Sequence, residues 1–145
     1  MKAVVDASVV VKWFIPEDYS DIAFEILERY KNGTLELYAP DLFRLEVASA
    51  LRKYTLRKII DQKIALESLD TLKEIDIRTI NVDWKILEEA LRYATENPVT
   101  VYDAIYIICA RKINAPLITA DEKLCNAIKR KEKNVIFIGE LGKKC

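Results

Sequence analysis

Two kinds of hydrophobic period take turns along this chain. Short apolar runs, suited to strands buried on both faces, separate longer stretches whose apolar residues return every three or four positions, as on one face of a helix. Ala3-Val4-Val5 is the first run. Ser8 to Phe14 reads as a short helix stopped by Pro16. Asp18 or Ser20 opens a longer helix, with Ile22, Phe24, Ile26 and Leu27 expected on its buried side and Asn32-Gly33 as its close. Leu35 to Tyr38 is a second strand, ended by Pro40. Asp41 starts a helix to about Arg57, and Asp61 caps another to about Glu74. Ile77 to Val82 is a third strand, and Asp83 caps a helix to about Thr95. After the break at Glu96-Asn97-Pro98, Val101 to Ile113 is a helix apolar nearly all round. Leu117-Ile118-Thr119 is a fourth strand, Asp121 opens another helix, and Val135 to Ile138 is a fifth strand.

Strands separated by helices imply a parallel sheet with both faces covered. The expected fold is α/β: a single three-layer α/β/α domain over residues 1–145, with a central, mostly parallel five-stranded sheet. The length fits one domain, and no repeat, low-complexity tract or Gly/Ser linker divides it. In such sheets ligands bind beyond the carboxyl ends of the strands.

Composition narrows the chemistry. Lys+Arg and Asp+Glu are both 23, so bulk positive charge does not draw this chain to nucleic acid, although a local basic patch still could. There are no histidines, which removes Ser-His and Cys-His triads, His-ligated zinc and any His general base. Cys109, Cys125 and Cys145 fit no zinc or redox spacing and read as reduced thiols, the first two in apolar helical runs. Asp6 interrupts the first apolar run too early for a secretory segment, and no stretch approaches a membrane span. The expectation is a cytoplasmic protein with no membrane partner.

Four carboxylates stand out: Asp6, Glu46, Asp103 and Asp121. Each has a plain alternative role. Asp6 and Asp121 follow strands directly and could cap the next helix. Asp103 stands three residues after Thr100, a capping-box spacing with Asp in place of Glu or Gln. Glu46 falls on the apolar stripe of its helix and could lean out to Arg44 or Lys53. Taken together, Asp6 and Asp121 end two strands at the same edge of one sheet, and Glu46 and Asp103 lie early on helices flanking that edge. Acids converging there repel one another and raise each other's pKa. A hard cation with oxygen ligands, Mg²⁺ or Mn²⁺, suits such a cluster. Without histidine, water activated by that cation is the natural nucleophile for attack on phosphorus.

The sequence resembles the PIN-domain ribonucleases of the VapC toxin type along its whole length. The resemblance is carried by Val5-Asp6-Ala7-Ser8-Val9-Val10-Val11-Lys12-Trp13-Phe14, Leu45-Glu46-Val47, Tyr102-Asp103-Ala104-Ile105-Tyr106 and Pro116-Leu117-Ile118-Thr119-Ala120-Asp121. It implies a PIN-like fold and an acidic quartet of Asp6, Glu46, Asp103 and Asp121, acting as metal ligands and catalytic groups with Ser8 and Thr119 in support. It further implies an Mg²⁺- or Mn²⁺-dependent endoribonuclease, the toxin of a toxin–antitoxin pair with a cognate antitoxin partner, and a homodimer.

RNA needs local positive charge. The stretch from Arg44 to Lys58 carries Arg44, Arg52, Lys53, Arg57 and Lys58 against the single acid Glu46. Lys12 lies one to two turns beyond Asp6, and 129–133 is a second basic run. Lys12, Arg44, Arg52 and Lys53 are the candidate RNA contacts, unless these runs are ordinary solvated helix faces. Trp13 and Phe14 offer rings for base stacking or a dimer contact, with core packing expected of at least one. The competing reading is a catalytically silent PIN-like module that binds RNA or protein.

Overall fold

The computed structural model describes residues 1–142, so Cys145 lies outside the described residues. The strands are β1 (Lys2–Val5), β2 (Glu36–Pro40), β3 (Arg78–Ile80), β4 (Leu117–Thr119) and β5 (Val135–Phe137). All neighbours are parallel, in the order β3-β2-β1-β4-β5. Between and after them run α1 (Ala7–Val11), α2 (Ser20–Lys31), α3 (Phe43–Leu56), α4 (Gln62–Ile75), α5 (Trp84–Glu96), α6 (Val101–Lys112), α7 (Glu122–Ile128) and α8 (Ile138–Gly142).

Ala3, Val4 and Val5 of the central strand are fully buried, as a strand covered on both faces requires. The edge strand β3 is short and exposes Arg78 and Thr79, which blunts it as a template for further pairing. With right-handed crossovers, the chain leaving β1 toward β2 and β3 covers one face, and the chain returning to β4 and β5 covers the other. α6 lies across β1, β2 and β4 with α5 against it, and α3 packs on α1 and α4. Ala104 to Ala110 of α6 are all buried, which explains a helix apolar nearly all round. Adjacent β1 and β4 send the chain to opposite faces, so the crevice beyond their carboxyl ends is the topological switch point.

The expected elements are present, with shifts in detail. Phe24 is 47% exposed rather than buried, because α2 turns Ala23, Ile26 and Leu27 inward and Phe24 lies about 100° round from Ala23. α3 starts at Phe43 with Leu42 at its cap, so Asp41 does not cap it. Asp61 and Asp83 do cap, accepting the Ile64 and Ile86 N–H groups at 2.8 Å each. β5 ends at Phe137, and α8 begins at once. A Cβ on Gly139 would stand 2.5 Å from the Phe137 ring, so the close turn needs glycine. Trp13 is buried and its indole N–H donates to the Ala23 carbonyl at 2.8 Å, while Phe14 is half-buried. Core packing therefore holds for Trp13. Cys109 is buried, Cys125 is partly buried, and both are free thiols. Among the described residues no helix is long and apolar enough to cross a membrane.

Candidate active site

Register builds the first part of the site. Val5 pairs with Ile118, so the next residues, Asp6 and Thr119, stand side by side at the carboxyl edge of the sheet. The Asp6 N–H still donates to the Ile118 carbonyl at 3.0 Å. Asp6 occupies the N-cap position of α1, yet its side chain makes no capping bond. Its Oδ2 instead accepts the Thr119 hydroxyl at 2.7 Å and the Ser8 hydroxyl at 3.2 Å. The Thr119 oxygen accepts the Asp121 N–H and the Ser8 oxygen accepts the Ala120 N–H, both at 3.0 Å. Backbone donors thus occupy the hydroxyl lone pairs and leave the hydroxyl hydrogens for Asp6. Burial pushes the Asp6 carboxyl up to about 6, opposed by the Thr119 and Ser8 hydroxyls and reinforced by the charges of Glu46 and Asp103.

Glu46 is half-buried on α3, and its partner is neither Arg44 nor Lys53. Its Oε1 accepts the Tyr106 hydroxyl at 2.7 Å. Burial raises its pKa, the Tyr106 bond lowers it and the Asp103 charge raises it again.

Asp103 and Asp121 are placed by their own helix ends. The Asp103 N–H donates to Thr100 Oγ1 at 3.1 Å and the Thr100 N–H to Asp103 Oδ2 at 3.4 Å, completing the capping box. Asp121 is exposed, and its Oδ1 accepts the Leu124 N–H at 3.0 Å. The capping alternatives therefore hold for both. Asp103 acts electrostatically on Asp6 and Glu46, and Asp121 follows the strand paired with β1.

The donor set is all oxygen, which suits Mg²⁺ or Mn²⁺. Among the described residues no three acidic or thiol side chains stand close enough to form a ready-made cation cage. Mg²⁺ does not need one, since it takes one or two carboxylates directly and keeps several waters. The crowded, partly desolvated Asp6 is the kind of group that a cation relieves. On this chemistry the residues fit the ion. A cavity of about 370 Å³ elsewhere, between α3, α4 and β3, is lined by Phe43, Arg44 and Lys73 among others and by none of the four acids.

The candidate RNA contacts are placed unequally. Arg44, Arg52 and Lys53 are exposed on α3. Lys12, a candidate RNA contact, is only 7% exposed, and its Nζ is 2.9 Å from Glu17 Oε2. Glu17 also accepts the Tyr54 hydroxyl, so the three tie the end of α1 to α3. Lys53 follows Glu46 by seven residues and so lies within about 20° of it around the helix, whereas Arg52 lies about 120° away. Sequence reasoning passed over Tyr106, although it is a polar-tipped residue three positions after Asp103 in an apolar helix and needs a partner when buried.

The PIN domain family model matches residues 3–129 of the chain. The Ribonuclease VapC3 of Pyrobaculum aerophilum is 36% identical over 126 residues, spanning 86% of this chain and 92% of that protein. The crystal structure of PAE2754 from Pyrobaculum aerophilum superposes with a TM-score of 0.69 at 23% identity, covering 97% of this chain and 92% of the other. That of VapBC2 from Rickettsia felis, bound to a DNA fragment from their promoter, gives a TM-score of 0.67 at 17% identity, with 94% and 97% covered. With a family match over most of its length and the acids of its motifs set at the switch point of the expected sheet, the chain belongs to the PIN domain family, in its VapC branch.

Proposed function

We propose that this chain is a Mg²⁺-dependent endoribonuclease, with Mn²⁺ able to substitute, and that it is the toxin of a toxin–antitoxin pair. The observation that carries the reading is the Asp6 carboxylate, fixed by Thr119 and Ser8 at the β1–β4 edge and pressed by Glu46 and Asp103. The relatives named Ribonuclease VapC support RNA as the substrate. The structures of VapBC2 from Rickettsia felis and of a toxin–antitoxin complex from Klebsiella pneumoniae support an antitoxin partner. Within this reading Asp6, Glu46, Asp103 and Asp121 would hold the cation, one or two of them directly and the others through its waters. When bound, it supplies the Lewis acidity that activates water for attack on phosphorus. Thr119 and Ser8 keep the Asp6 oxygens in one orientation. Lys53, on the Glu46 side of α3, attracts the RNA backbone, with Arg44 and Arg52 adding to the local field. Lys12 acts through Glu17 rather than on phosphate. An antitoxin segment bearing Arg or Lys would block the acids by supplying the charge they lack. The reading extends to a cytoplasmic homodimer.

The test is cleavage of RNA by the purified chain in Mg²⁺, in Mn²⁺ and in EDTA, with both new ends identified. A water nucleophile leaves 5′-phosphate and 3′-hydroxyl ends, and EDTA abolishes the cut. Cyclic 2′,3′-phosphate ends formed in EDTA would sink the mechanism. RNA binding without cleavage in either metal would instead establish the silent module, a reading favoured only by the capping roles of Asp103 and Asp121.

A further inference from the structure

We infer that Tyr106 is a positioning residue of this site, its hydroxyl holding Glu46 at a set distance from Asp6; this rests on the nuclease reading above. Tyr106 is 2% exposed and stands on α6 three residues after Asp103, so the two share a side of the helix. Its hydroxyl donates to Glu46 Oε1 at 2.7 Å. One buried hydroxyl therefore joins the Glu46 turn of α3 to the first turns of α6, two elements that reach the sheet edge separately.

The need for such a tie is electrostatic. Asp6 and Glu46 carry like charges, and Glu46 raises the free energy of ionised Asp6. Glu46 has a flexible side chain on a half-buried helix face, and turning toward water would relieve the repulsion. That motion would also scatter the oxygens a cation requires. A tyrosine ring packed in the core has little freedom of its own. Its neutral O–H opposes the outward swing without adding charge. Outer partners of metal-binding side chains typically govern metal affinity by about 10–100-fold.

The experiment uses Tyr106→Phe, with Tyr93→Phe as control. Tyr93 is a buried tyrosine of α5 whose ring lies 5.1 Å from the Arg111 guanidinium, with Glu132 as its acidic neighbour and none of the four candidate acids acting on it. Mn²⁺ alone is titrated and free ion followed by electron paramagnetic resonance. Tyr106→Phe should weaken Mn²⁺ binding about tenfold or more and lower kcat with little change in KM, while Tyr93→Phe keeps the wild-type Kd. In a Glu46→Gln background, Tyr106→Phe should add almost nothing, because the charge it restrains is gone. Should Tyr106→Phe not fold, the Tyr106 hydroxyl proton of the wild-type chain is followed by NMR, and it should exchange slowly and shift when Mg²⁺ is added. A wild-type Kd in Tyr106→Phe, an additive loss in the Glu46→Gln background, or a hydroxyl proton blind to Mg²⁺ would each overturn the assignment. Wild-type protein that neither binds Mn²⁺ nor cleaves RNA overturns the nuclease reading itself. Wild-type protein that does both, with unchanged Tyr106→Phe, overturns only the role of Tyr106.

Discussion

The shortest hydrogen bonds to Asp6 and Glu46 come from distant stretches of chain, Thr119 at a separation of 113 residues and Tyr106 at 60, with Ser8 adding a longer local one to Asp6. Asp103 and Asp121 accept from backbone N–H groups three residues away. The first pair exists only in the folded protein. The second would be placed much the same way by any helix beginning with those residues. Burial and like charge raise the pKa of both members of the first pair, and those costs fall on the folded state. The distant pair carries the strain of the site, and the local pair frames it.

The largest test of this contrast is catalytic. Asp6→Asn keeps shape but removes the charge that Thr119 and Ser8 orient, and should reduce metal-dependent RNA cleavage at least about a thousandfold, or about 4 kcal/mol in barrier. Asp121→Asn, an equally good cap, should cost less, and single-turnover rates for the two variants decide. Equal losses would erase the distinction between the pairs.

The next test is stability without metal. A carboxyl whose folded pKa rises from 3.8 to about 6 contributes most below pH 3.8 and loses that contribution as pH climbs through about 6. In EDTA, Asp6→Asn should therefore be more stable than wild type at pH 7.5, by up to about 3 kcal/mol from two pKa units. The gap should close by about pH 4, where the Asp6 carboxyl is neutral. Urea unfolding across that range reads it directly, and a gap that stays constant with pH would refute the strained state of Asp6.

A smaller effect belongs to the local pair. Thr100→Ala removes half of the capping box around Asp103 and should lower stability by about 1 kcal/mol at every pH, read from the urea midpoint. Cleavage should fall only a few-fold, since the Asp103 charge remains. The smallest effect separates the cations on α3. Lys53→Ala should flatten the slope of log K against log salt for RNA binding by about 0.7, the share of one phosphate contact. Arg52→Ala, on another side of the helix, should change the slope less, and the reverse ranking would move the RNA track round α3.

Much of the fold was legible because its signals are local. Alternating apolar runs and amphipathic stretches marked every strand, and Asp61, Asp83 and Thr100 announced helix starts through bonds spanning three residues. The misjudged places are those where neighbours in space decide. Phe24 looked like core but sits beside the buried stripe of α2. Lys12 was a candidate RNA contact but is buried against Glu17, which Tyr54 of α3 also binds.

The sequence by itself determined the oxygen-only donor chemistry, by containing acids at strand and helix ends and no histidine, and it determined the order of strands and helices through hydrophobic period. Tertiary structure alone decided which acids bear the strain. That depends on the β1–β4 register setting Thr119 beside Asp6, and on α6 crossing the sheet to bring Tyr106 to Glu46. Desolvation and like-charge repulsion depend on distance through space, and separation along the chain does not encode it.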